Sequence, residues 1–458
     1  MFRRLNHVAI PGYAPLCMDS NDPETVSHAF ECRVLRDVPE PPPGALKGFS
    51  EFVAKFLEEH VPAADPYTFE EWLALTSYNE DRKKQLRASY DYCHGQPPTK
   101  HQARHVDSFV KSESYPCWKP ARIINSRCDA FKVFSGPRFK AVEDVVYALP
   151  EFIKHTPVPD RPMLIRQLKQ AGRRYYQTDF TAFESHFTPE VMEACELQLY
   201  RHVLRNDKHV DFMCSVISGK NCMRTRTGTF VSVQGRRMSG DMCTSLGNGF
   251  TNLMLAKYIV SLKHGTLTGF VEGDDGLFST DVTLTPSDYA NLGFSIKIEE
   301  VDDPCEASFC GMVFSESGQI IRDPRRFFEG FGWTTSFINA GGRIMDELLR
   351  AKALSTCYET PQCPVVGALA RYALKKTSHV HPRFVADGYH VLPDIVNVPA
   401  FSPSLDTRLL FEREYGVSLL AQIAMEKAIG RGDMEAVSFY LPPSADIFDY
   451  ASKYLIVT

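Results

Sequence analysis

Two adjacent aspartates, Asp274 and Asp275, sit in the stretch GFVEGDDGLFST, residues 269–280. Phe270 and Val271 lead in, and Leu277 and Phe278 lead out. Apolar runs of this kind around Gly273 and Asp274 predict a tight β-hairpin. Gly and Asp are also ordinary turn residues, so the four-residue tip alone is compatible with a plain turn. Glu272 brings a third carboxylate to the tip, which should repel itself. A divalent cation would remove that repulsion, and carboxylate oxygens are the hard ligands Mg²⁺ prefers. Such a site needs a further carboxylate from elsewhere in the chain.

The stretch RRYYQTDFTAFESHFTPE, residues 173–190, offers one. Tyr175, Tyr176 and Thr178 favour a strand ending at Asp179. A helix should follow, with Thr188 as N-cap, Pro189 in the first position and Glu190 favourable to the dipole. Met192, Cys195, Leu199 and Val203 recur at spacings of three and four, predicting one apolar face. Asp179 would then stand at the carboxyl end of a strand, although a surface loop aspartate would look the same in isolation. In GRRMSGDMCTSLGNGFTNLM, residues 235–254, Ser239-Gly240 reads as a loop entering a helix. Thr244, Asn248 and Asn252 would share one helical face. Asparagine is a poor helix-interior residue, so the stripe suggests a hydrogen-bonding surface or a solvated polar face. The apolar residues around it, Met242, Leu246, Phe250, Leu253 and Met254, argue for the packed alternative.

The 458 residues suit a large unit or two to four subdomains, and 44% hydrophobic with 23% charged residues is an ordinary globular composition. A net charge of −5 gives no global case for nucleic-acid binding. Locally, residues 101–140 carry eight Lys or Arg against three Asp or Glu, and 161–174 carry five basic residues and no acidic one, fields able to bind phosphate. The 13 scattered cysteines lack zinc-site spacing and read as reduced thiols in a cytosolic protein. The first residues have too short an apolar run for a signal peptide, and no segment is long enough to span a bilayer. Pro39 to Gly44 is linker-like.

Asp179-x4-Glu184, Ser239-Gly240-x3-Thr244-x3-Asn248 and Gly273-Asp274-Asp275 together resemble motifs A, B and C of viral RNA-dependent RNA polymerases, in that order. The resemblance is greatest to tombusvirus-like and nodavirus-like polymerases of positive-strand RNA viruses, above all in SGDMCTSLGN. Residues 109–144 resemble the basic fingers motif F, and 78–91 resemble the template-contacting motif G. LGFSIKIEE resembles motif D, ASFCGMVF motif E, IIRDPRRFF the segment after it, and TRLLFEREYGVSLLAQIAMEK a thumb helix.

The resemblance implies template-directed nucleotidyl transfer in genome replication and transcription. Asp179 and Asp274 would hold two Mg²⁺ ions about 3.5–4 Å apart, with Asp275 assisting and Mn²⁺ able to substitute. Lys297 would act as general acid toward pyrophosphate, although a plain surface lysine is an equal reading. Glu184 and Asn248 would read the ribose 2′-hydroxyl; Glu184 is one methylene longer than the aspartate commoner there. Ser239 and Gly240 would form a flexible loop beside the nucleotide, supported by Thr244. Lys111, Lys119, Arg122 and Arg127 would face the triphosphate, Arg122 gripping it bidentately. Arg322, Arg325 and Arg326 would touch the nascent strand's phosphates.

The implied fold is α+β, a closed right hand with an antiparallel palm sheet and a mostly helical thumb. Residues 1–172 would form an N-terminal extension and the fingers, 173–205 palm, 206–234 a fingers insertion, 235–334 palm and 335–458 thumb. The N-terminal residues would run through the fingers toward the thumb. The implied partners are an RNA template, a nascent strand and ribonucleoside triphosphates. Without an anchor of its own, the chain would reach membrane-associated replication complexes in the host cytoplasm through a viral or host tether. A reverse transcriptase would carry an aromatic steric gate where Glu184 stands. A two-metal nuclease would not need the Ser-Gly/Thr/Asn stripe. A decayed, RNA-binding replication protein would not need intact aspartates.

Overall fold

The computed structural model describes residues 2–113, 119–385 and 398–443. It is a mixed helix-and-sheet structure. One four-stranded sheet is centred on Arg174–Phe180, whose tyrosines and threonine suit a pleated surface. Asp275–Thr280 and Ile296–Val301 flank it, both antiparallel, and Leu267–Glu272 completes the order beyond Asp275–Thr280. The expected hairpin is present: Glu272 pairs with Asp275 across a two-residue loop of Gly273 and Asp274. Gly273 has a φ of 63°, a region glycine enters without steric penalty. The strand expected to end at Asp179 runs one residue further, to Phe180.

Thr188 caps the next helix as expected, its hydroxyl accepting from the Val191 N–H, with Pro189 first in the helix. The continuous apolar helix does not follow. Pro189–Ala194 ends at Cys195, which leaves helical geometry (φ −135°, ψ −86°), and a second helix runs Glu196–Val203. Met192, Cys195, Leu199 and Val203 are all buried nonetheless. At the break Glu196 turns inward to an ion pair with Arg237.

The helix Thr244–Leu262 is buried over most of its circumference and shares the largest core with Phe180, Val271 and Phe278 of the sheet. A second four-stranded sheet has the order Ile123–Arg127, His105–Val110, Lys220–Arg224, Phe230–Gln234. Its parallel central pair joins residues 105–107 to 222–224, so segment 206–234 shares a sheet with the basic stretch.

The N-terminal residues link distant parts of the chain. Arg3 and Arg4 pair with Thr334 and Trp333, and Leu5, Val8 and Ile10 pack in a second core with Phe328, Met345 and Leu349. The helix Pro23–Arg33 then lies on the second sheet, through Val26, Ala29 and Phe30. Beyond residue 335 the described chain is helical, in Gly342–Glu359, Val366–Lys376, Leu405–Tyr415, Leu419–Arg431 and Met434–Tyr440. The described cysteines are free thiols. Among the described residues no helix is long and apolar enough to cross a membrane.

Candidate active site

Sheet register brings the three aspartates together. Thr178 pairs with Gly276, so Asp179, one residue on, faces the start of the neighbouring strand at Asp275. On its other side Asp179 pairs with Lys297, and directly opposed residues project to one face of a sheet. The electrostatics agree. Burial and the Asp274 charge raise the Asp179 carboxyl above its ordinary range, while Lys297 and Arg33 oppose the rise. The Asp275 carboxyl is pushed up to about 7, first by burial and then by Asp274, Asp179 and Glu272. Glu272 is partly neutralised by Arg161, 2.8 Å away.

These carboxylates fit a divalent ion by their chemistry: hard oxygen donors carrying incompletely compensated negative charge. Among the described residues no group of three His, Cys, Asp or Glu side chains is placed to hold a metal ion by itself. Mg²⁺ is usually held by one or two carboxylates, substrate phosphates and water rather than by an all-protein cage, so an open donor set suits it.

Asn252 braces the hairpin, a role the sequence did not reveal. Fully buried, it directs its amide nitrogen at the carbonyls of Gly273, Asp274 and Asp275, at 3.5, 3.2 and 3.1 Å. Its position four residues after Asn248 on a packed helix was the available signal; its partners were not readable.

Glu184 lies in a short turn, Phe183–His186, just after Asp179. It forms an ion pair with Arg33 at 3.5 Å, and burial is the main cause of a raised carboxyl pKa there. Arg33 is the second residue missed: it comes from the N-terminal helix and influences both Asp179 and Glu184. Asn248 is 8% exposed and accepts through Oδ1 from Arg237 Nε at 3.0 Å.

The Ser239-Gly240 turn differs from the flexible loop expected. Ser239 Oγ donates to the Ile123 carbonyl at 3.0 Å and accepts from the Asn125 N–H. The Gly240 N–H donates to the Asn125 carbonyl, and a Cβ at Gly240 would stand 2.9 Å from that oxygen. The turn is thus stapled to the second sheet. Thr244 supports it by donating to the carbonyls of Met238 and Asp241.

The four expected triphosphate cations separate. Lys119 and Arg122 are exposed and Lys111 is half-buried. Lys111 and Arg122 lie 2.9 and 3.6 Å from Glu113, and Arg122 is close enough to lower the Glu184 pKa. Arg127 is a correction: it is 2% exposed, paired with Asp241 at 2.9 Å and donating to the Ala103 carbonyl. Strand alternation puts it on the buried face with Ile123 and Asn125. The basic run 161–174 is likewise not an open phosphate field. Arg161, Lys169, Arg173 and Arg174 pair with Glu272, Asp303, Asp281 and Glu300, and Arg166 donates to the Ser315 carbonyl.

Arg322 and Arg326 line a cavity of about 1450 Å³ with Lys154, Arg161 and Lys352. The three aspartates are not on its wall. Arg325 is not on that wall and donates to the Tyr415 carbonyl, so the three arginines are not grouped as expected.

Part of the chain is similar to known proteins. The family model for viral RNA-dependent RNA polymerases matches residues 150–341. Over those residues the chain is similar to the viral RNA-dependent RNA polymerases. The matched span contains the whole aspartate-bearing sheet, the Ser239-Gly240 turn and the Thr244–Leu262 helix. The chain is also 24% identical over 251 residues to a protein named RNA-directed RNA polymerase from Groundnut rosette virus (strain MC1). That alignment covers 49% of this chain and 29% of the relative, so the chain spans well under half of the relative's length.

Proposed function

We propose that the chain is an RNA-dependent RNA polymerase of a positive-strand RNA virus, tombusvirus-like or nodavirus-like, that copies its genome by template-directed nucleotidyl transfer. The reading rests chiefly on the convergence of Asp179, Asp274 and Asp275 at one end of one sheet, with Lys297 opposite Asp179. Asp179 and Asp274 would hold the divalent ions, with Asp275 beside them. When bound, those ions would stabilise the attacking and leaving oxygens at the α-phosphate.

The protein's own residues supply the rest. Arg122, Lys111 and Lys119 would offset triphosphate charge, Arg122 most directly because a planar guanidinium matches phosphate oxygens. Glu184 and Asn248 would hydrogen-bond the ribose 2′-hydroxyl, and a deoxy analogue would leave them unpaired. Arg33 pairs with the same Glu184 carboxylate. Lys297 would protonate departing pyrophosphate. Arg322 and Arg326, on the large cavity, would meet RNA phosphates. A closed right hand with residues 335–458 as thumb suits this arrangement, as does a partner tethering the chain to membrane-associated replication complexes in the host cytoplasm.

The test is templating. Short RNAs differing at one unpaired base, given Mg²⁺ and each ribonucleotide separately, should yield extension only with the complementary nucleotide. Nucleotide addition indifferent to the template base would refute the proposal.

A further inference from the structure

Arg237 precedes the Ser239-Gly240 turn by two residues and is 1% exposed. Its Nη2 donates to Glu196 Oε2 at 2.6 Å, and its Nε donates to Asn248 Oδ1 at 3.0 Å. The guanidinium lies over the Phe187 ring, 4.2 Å from its centroid. Tyr200 donates to the same Glu196 oxygen at 3.0 Å. The Arg237 backbone N–H donates to the carbonyl oxygen of Glu184 at 3.0 Å. One buried residue therefore touches both residues assigned to the ribose: its guanidinium meets the Asn248 side-chain amide, and its backbone N–H meets the Glu184 backbone carbonyl.

The chemistry of the contact sets a direction. A guanidinium only donates, so the Asn248 atom facing it is the oxygen, and Nδ2 is turned the other way. Among the described residues nothing accepts from Nδ2, and Asn248 keeps 8% of its surface open. An asparagine amide is nearly symmetric in shape, so sterics alone would let either atom face outward. A fixed donor behind Oδ1 removes that freedom. Glu196 and Tyr200 in turn fix the donor.

The geometry points to Arg237 as a positioning residue for ribose selection, presenting Asn248 Nδ2 as a hydrogen-bond donor to the nucleotide 2′-oxygen and setting the spacing between Asn248 and Glu184. This rests on the ribose role proposed above for those two residues. Lysine is no substitute, because a single ammonium drawn to Glu196 lacks the second, rigidly placed donor.

The test compares incorporation efficiency for GTP and dGTP opposite a template cytosine. The proteins are wild type, Arg237→Lys, Arg237→Met/Glu196→Gln, Asn248→Ala and Arg237→Lys/Asn248→Ala, each with a thermal melt. Arg237→Lys keeps a cation beside Glu196; the Met/Gln pair removes the charge from both partners. The GTP:dGTP ratio should fall about tenfold or more in both Arg237 variants, the weight of a hydrogen bond to a charged group. Adding Arg237→Lys to Asn248→Ala should lower the ratio no further, because the two act through one contact. If the Met/Gln protein does not fold, Arg237→Lys carries the comparison alone. A variant that slows GTP and dGTP by the same factor has lost only structure, and that result would overturn the inference. A ratio that falls in Asn248→Ala but not in Arg237→Lys overturns the role of Arg237 alone. A ratio unchanged in Asn248→Ala overturns the ribose reading and this inference with it.

Discussion

Replacing Asn252 with leucine separates the position of the Gly273-Asp274 turn from the stability of the fold. The substitution keeps the side chain's approximate size and removes the amide nitrogen aimed at the Gly273, Asp274 and Asp275 carbonyls. Two contacts, at 3.2 and 3.1 Å, are good hydrogen bonds, and the third is marginal at 3.5 Å. A buried acceptor left without its donor costs about 1–3 kcal/mol. Two considerations shrink that cost. The Asp274 side of the turn is exposed, so water can reach part of it. Asn252 Oδ1 is itself buried without a partner among the described residues, and leucine removes that penalty. The net loss of stability should be about 1 kcal/mol, a few degrees or less of melting temperature for a chain of this size. Catalysis should suffer far more, since a misplacement of about 1 Å can cost about 10²-fold in rate. Single-turnover nucleotide incorporation, beside a thermal melt and an RNA-binding titration, measures all three quantities. A leucine variant within about threefold of the wild-type rate would refute the bracing argument, because that is well short of the displacement expected.

Other predictions follow from particular contacts. His186 is fully buried, its Nε2 accepts from the Ser295 N–H at 2.9 Å, and burial lowers its pKa to about 4. Between that value and the ordinary 6.5 the unfolded chain binds the proton and the folded one does not, so stability should fall as pH drops through this window. The loss should approach about 3 kcal/mol; denaturant unfolding should show a flatter pH dependence in His186→Leu, and parallel curves would contradict the assignment. Arg127→Ala should cost about 3–5 kcal/mol by stranding buried Asp241. Arg122→Ala should leave the melt unchanged and raise KM for nucleotides; melts and steady-state kinetics that show the reverse pattern would exchange the two roles. Lys297→Leu should slow single-turnover chemistry with nucleotide affinity nearly intact, and lost affinity alone would make Lys297 a binding residue.

Local pattern carried much of the site. The Gly273-Asp274 turn, the strand through Asp179 and the Thr188-Pro189 helix start are each determined within a few residues, by turn chemistry, β-propensity and capping. Arg127 was legible in principle, because alternation along Ile123–Arg127 puts it on the inner face while Arg122 stands before the strand. Asn248 and Asn252 share a stripe, yet one meets Arg237 and the other the hairpin. Only tertiary packing makes that distinction. Arg33 had no local signal either, since the N-terminal helix reaches Glu184 across a long stretch of sequence. The break at Cys195 goes with the inward turn of Glu196, whose partner Arg237 is equally remote.

The central claim is that Asp179, Asp274 and Asp275 make a divalent-ion site for nucleotide addition. It is tested most directly by incorporation of labelled ribonucleotide on a short RNA template with Mg²⁺ or Mn²⁺, comparing wild type with folded Asp274→Ala. The account predicts metal-dependent product from wild type and none from the variant, with RNA binding retained by both. Equal product from the two proteins would contradict it.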